Sequence, residues 1–112
     1  MVRRIATLLL PAVLFAHVVC DQRAERIYCT YYIDRSDNTE GVTVEFHWHS
    51  PSGRDDRIKY FWVPPMHGSV YDYRFVPGRE SGTWRVVERE METNRSAETT
   101  FDLEGSEEFF EE

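Results

Sequence analysis

The chain holds one lysine, Lys59, and two cysteines, Cys20 and Cys29, among its 112 residues. Positive charge is in deficit, with 13 basic against 20 acidic residues and a formal net charge of −7. That sign excludes the basic footprint by which nucleic-acid binders meet phosphate. There is no Gly-x-Ser-x-Gly elbow to present a serine nucleophile. Gly78 and Gly82 are turn glycines with no helix behind them, so a phosphate cradle at a helix N-terminus is missing too. The length excludes a multi-domain enzyme and a two-lobed nucleotide-binding architecture. Beyond residue 20 no segment carries a 3.6-residue apolar period longer than a turn, which excludes a helical architecture. What is present in quantity is apolar and aromatic: 41% hydrophobic and 14% Phe, Trp and Tyr. That is too much for a disordered chain.

A single long apolar run, Ile5 to Val19, follows Arg3 and Arg4 and carries no charge. A short basic start and a run of this length make the pattern of a secretory signal peptide. A membrane-spanning helix needs ~20 apolar residues, and Pro11 would kink one here. Residues 1–20 are expected to be the signal, 21–104 the folded domain and 105–112 an acidic tail. The cleavage point stays open. Cutting after Cys20 leaves one thiol, Cys29. Cutting after Ala16 leaves both cysteines, able to pair in an oxidising compartment. Lipidation of Cys20 is the third route, although His17-Val18-Val19 lacks the small residue expected just before a lipidated cysteine. Loss of Arg3 and Arg4 with the leader takes the net charge from −7 to −9.

The rest reads as short strands. Val42–His49 alternates cleanly, with Val42, Val44, Phe46 and Trp48 on one side and Thr43, Glu45, His47 and His49 on the other. Arg26–Ile33, Ile58–Val63, Ser69–Val76, Thr83–Met91 and Ala97–Leu103 are rich in β-branched and aromatic residues. Clusters such as Ser36-Asp37-Asn38, Ser50-Pro51-Ser52-Gly53 and Pro77-Gly78 punctuate them. Ile27, Cys29, Tyr31 and Ile33 share one face, with Cys29 expected as a buried, inert thiol. Trp48, Trp62 and Trp84 are expected to fill much of a thin core. Regular short strands predict an all-β fold, a small antiparallel sandwich of about six to seven strands, with a half-open barrel as the other architecture.

Trp48, Ser50-Pro51-Ser52-Gly53, Phe75-Val76-Pro77-Gly78, Gly82-Thr83-Trp84-Arg85-Val86 and Thr100-Phe101-Asp102-Leu103 fall in a characteristic order. In this the chain resembles the small immunoglobulin-like β-sandwich modules of bacterial exported proteins, over roughly Val42 to Leu103. The resemblance implies a fold and a compartment and names no active site. It lacks the disulfide between sheets of antibody-type domains.

Four groups of residues bear on chemistry. His47 and His49 point the same way from one strand and can ligate a metal, with Glu45 or His67 completing the shell. Arg85, Glu88, Arg89 and Glu90 read as a salt-bridged exposed face. Tyr28, Tyr32, Tyr71, Tyr73 and Phe61 exceed what a small core needs, and a row of them beside Arg74 suits a carbohydrate or an extended peptide. The tail, with Phe109 and Phe110 among glutamates, suits a basic partner. Asn94-Arg95-Ser96 fits the N-glycosylation pattern, relevant only in a eukaryotic secretory route. No catalytic or cofactor-binding residue can be assigned.

The expected function is an exported, non-enzymatic binding or structural module of the bacterial cell envelope, periplasmic or secreted, whose partner is a protein or glycan. Membrane attachment would come only through an uncleaved signal or a lipidated Cys20. The competing expectation is a small metal-binding protein built on the His-x-His strand.

Overall fold

The computed structural model describes residues 17–104. Seven strands follow one another: β1 (His17–Arg23), β2 (Arg26–Tyr32), β3 (Val42–His49), β4 (Arg57–Val63), β5 (Ser69–Phe75), β6 (Gly82–Glu90) and β7 (Ser96–Leu103). All pairings are antiparallel. They form a three-stranded sheet in the order β1-β2-β5 and a four-stranded sheet in the order β4-β3-β6-β7. The two pack face to face, as a sheet with one apolar side must. The half-open barrel is therefore not the architecture.

The core lies between the sheets. Val42, Val44, Phe46 and Trp48 of β3 are all buried while the intervening residues are partly exposed, the alternation that the pleat imposes. Ile27, Cys29 and Tyr31 face them from β2 of the other sheet, and Trp84 and Val86 of β6 lie beside them on the same inner face. Phe101 stacks on Trp84 with ring centroids 6.1 Å apart and meets Trp48 edge-on.

Several expectations are corrected. His17–Cys20, expected to belong to the leader, are part of β1, which pairs along its length with β2. Cys29 is not a free thiol: it is bonded to its cross-strand partner Cys20. The rest of the expected leader, residues 1–16, and the tail 105–112 with Phe109 and Phe110 lie outside the described residues. Trp62 is 62% exposed and is not a core residue. On β4 the pleat turns Val63 and Phe61 inward and Trp62 outward, where its ring covers Gly41 so closely that a side chain there would collide with it. Phe61 packs edge-on against Phe46 and is not surplus.

The largest correction concerns charge. Glu88 and Glu90 are wholly buried, so the expected exposed face of β6 carries only Arg85 and Arg89. On β5 the polar residues Asp72 and Arg74 point inward, and Tyr71 and Phe75 point out. Each inward charge has partners from another strand or loop, except Glu88. Asp72 Oδ2 accepts bonds from Trp48 Nε1 at 2.9 Å and Arg57 Nη2 at 2.6 Å. Arg74 donates to the Asp55 carboxylate at 2.9 Å and lies over the rings of Trp48 and Trp84. A buried charge is tolerable only when paired in this way.

Candidate functional site

The outer face of the three-stranded sheet is aromatic. Register places Tyr28 of β2 beside Tyr73 of β5, Thr30 beside Tyr71, and Arg26 beside Phe75. The rings touch in sequence: Tyr28 lies 5.7 Å from Tyr71 and 5.5 Å from Tyr73, and Tyr73 meets Phe75 edge-on at 5.7 Å. Tyr71 is 57% exposed and Phe75 46%. Two guanidinium groups lie over this row. Arg23 sits 4.2 Å above Tyr28, and Arg26 about 5 Å from both Tyr73 and Phe75. The tight β1–β2 turn, with Ala24 in the left-handed region at φ 57°, brings both arginines to the same end of the sheet. There Arg23, paired with Asp21 at 3.1 Å, lines an open hollow of about 410 Å³ together with Ala24, Glu25, Arg26, Tyr28 and Phe75. His17 stacks on the exposed Tyr32 at the other end. The expected aromatic row is therefore present, but its cations are Arg23 and Arg26. Arg74 faces the core.

The outer face of the four-stranded sheet is mixed: exposed Ile58, Tyr60 and Trp62 of β4 lie beside the polar outward residues of β3. His47 and His49 do project together, their rings stacked at 3.8 Å. The third group beside them is Asp56, from the loop before β4, and the ligand atoms of the three residues lie within 4.8 Å of one another. Asp56 Oδ1 accepts hydrogen bonds from Ser50 N at 2.7 Å and Ser50 Oγ at 2.9 Å. Those bonds, the backbone one foremost, hold its carboxyl below the ordinary carboxylate range. Desolvation, then the neighbouring His47 and Arg85, lowers the pKa of His49.

The residues expected to complete this shell are elsewhere. Glu45 is engaged by Arg89 at 3.3 Å and by the Tyr60 hydroxyl at 3.2 Å. His67 lies beyond Val63, whose register partner is Val42, at the opposite end of β3 from His49. Arg35 pins that loop by donating to the Pro64 and His67 carbonyls. Asp56 was hidden in the sequence because Asp55-Asp56 looks like one solvated acidic pair. The loop splits it, sending Asp55 to Arg74 and Arg79 and Asp56 to the histidines.

Comparison with known proteins returned no matching family model, no matching curated protein and no matching solved structure.

Proposed function

We propose that this chain is an exported binding module of the bacterial cell envelope, and that it takes an acidic glycan on the aromatic face of β1-β2-β5. The observation that carries the proposal is the row Tyr28, Tyr71, Tyr73 and Phe75 with Arg23 and Arg26 over it. Sugar rings offer flat C–H faces that stack on aromatic rings, and guanidinium edges donate to carboxylates and hydroxyls. An open sheet face with exposed rings is what a linear polymer can lie along.

Export is supported by the basic-then-apolar start and by the Cys20–Cys29 bond, which suits an oxidising compartment. Cleavage after Ala16 leaves β1 and the disulfide whole. Cleavage after Cys20 would remove four residues of the strand and one half of the bond, and lipidation would consume the same sulfur. The immunoglobulin-like reading is supported by strand order. In it β1, β2 and β5 take the places of A, B and E, and β3, β6 and β7 those of C, F and G, with β4 outside β3.

The test is calorimetric titration of the purified protein with a soluble uronic-acid oligosaccharide and, separately, with an acidic peptide. The expected outcome is saturable glycan binding that falls at least about tenfold in Tyr73→Ala and in Arg26→Ala, a loss of ~1.4 kcal/mol or more. Binding of the peptide alone, or glycan binding indifferent to both substitutions, overturns the reading.

A further inference from the structure

We propose that His47, His49 and Asp56 form a binding site for a zinc-class divalent transition metal on the outer face of the four-stranded sheet, independent of the glycan face. The geometry comes first. Two imidazoles two residues apart on a β-strand share one side by the period of the pleat, so the backbone presents them together. Their rings are already near-parallel at 3.8 Å, and one oxygen or nitrogen from each of the three residues falls within 4.8 Å of the others. A tetrahedral ion at ~2.0–2.1 Å from each donor needs those atoms roughly 3.3 Å apart. Small side-chain rotations close that gap without moving the strand.

The surroundings leave the donors available. Among the described residues neither imidazole has a hydrogen-bond partner, although both are partly buried. Asp56 spends Oδ1 on Ser50 and keeps Oδ2 without a hydrogen bond. Ser50 is itself fixed, since its Oγ accepts from Gly53 N at 3.1 Å and Asp55 N at 2.9 Å. The carboxylate is thus oriented by a rigid turn, the kind of outer-shell support on which metal ligands depend. The neighbouring positive charge of Arg85, register partner of His49, is tied to Glu98 at 3.2 Å.

Ligand chemistry narrows the ion. Two nitrogens and one oxygen disfavour calcium and magnesium, which want oxygen, and the absence of thiolate disfavours Cu(I). Zinc, copper(II) and nickel(II) remain. With three protein donors a four-coordinate ion keeps one position for water or for an incoming group.

The test is isothermal titration of the chelator-treated protein with zinc sulfate, followed by His proton NMR. The expected result is one ion per chain with a Kd of about 10 μM or tighter. His49→Ala and Asp56→Asn should each weaken binding at least about tenfold, while His67→Ala changes nothing. Asp56→Asn retains an oxygen for Ser50, so its loss reports on the ligand and not on the loop. Without any substitution, zinc should move the ring protons of His47 and His49 and leave those of His17 and His67 in place. Substoichiometric uptake at saturating zinc, or shifts confined to His17 or His67, overturns the proposal.

Discussion

Glu88 and Glu90 occupy the same face of β6, two residues apart, and both are fully removed from water. At Glu90 the carboxylate is answered on both sides. The Tyr31 hydroxyl donates to Oε2 at 2.6 Å from the opposite sheet, and the Thr93 hydroxyl donates to Oε1 at 2.7 Å from the adjoining turn. At Glu88 neither oxygen has a partner. Desolvation, with a smaller contribution from the Asp72 charge, pushes its pKa up to about 8. Depth alone therefore does not set the chemistry of a buried acid. One of these glutamates ties the two sheets together, and the other is kept in the core as a neutral acid.

The sharpest way to break the comparison is to remove Glu90. Glu90→Ala strands a buried tyrosine hydroxyl, removes the Thr93 bond and leaves a cavity. The combined cost is expected to be about 3–4 kcal/mol in unfolding free energy, measured by urea denaturation. Tyr31 itself also responds to this site, since burial and then the Glu90 bond push its pKa up, holding the hydroxyl protonated as the donor.

At Glu88 the sign reverses. Its folded-state value of about 8 stands above the ordinary 4.5. Below the ordinary value both states hold the proton and nothing is lost. Between the two values the unfolded chain releases the proton and the folded one keeps it, so stability falls as pH rises, by ~1.4 kcal/mol per unit. Above about 8 the folded state carries an ionised, unpartnered carboxylate and the loss is complete. Glu88→Gln removes this titration. It is expected to stabilise the protein by on the order of 5 kcal/mol at pH 8.5 and by little at pH 4.5. Denaturation midpoints across that range check it, and a pH-independent difference would show that the carboxyl does not titrate in the core.

These two residues also mark how far the sequence reaches. Local alternation was enough to place Val42–His49 and to put His47 and His49 on one side, because a period of two is a property of the strand itself. The same period puts Glu88 and Glu90 on the face of Val86, against the expectation that both lie with Arg85 and Arg89 on an exposed face. Polarity then suggested that Glu88 and Glu90 leave the core, and here the deciding partner, Tyr31, is 59 residues away. The same holds on β5, where Asp72 is drawn inward by Trp48 and Arg57 of the other sheet. Ile58-Lys59-Tyr60-Phe61-Trp62-Val63 has apolar residues on both sides of the pleat, so nothing local could tell Trp62 from Phe61. β1 was hidden for another reason: its first residues continue the apolar run Ile5–Val19, which reads as a leader, and only pairing with β2 marks them as strand.

The finest contrast lies within the Glu90 site. Its two donors differ in exposure, for Tyr31 is fully buried whereas Thr93 lies at the surface. When Tyr31→Phe deletes the buried donor, water has no route to Oε2 and the acceptor is left unsatisfied, at about 1–2 kcal/mol. When Thr93→Ala deletes the exposed one, water can take its place at Oε1. The loss should then be under ~1 kcal/mol, the net value of an ordinary hydrogen bond or less. Thr93 Oγ1 also accepts from Arg95 N at 3.2 Å, so part of even that small loss belongs to the turn. A double-mutant cycle with Glu90→Gln separates the two contributions. If Thr93→Ala proves as costly as Tyr31→Phe, the turn side of Glu90 is as dry as the core side, and the boundary between the interior and water runs outside Thr93.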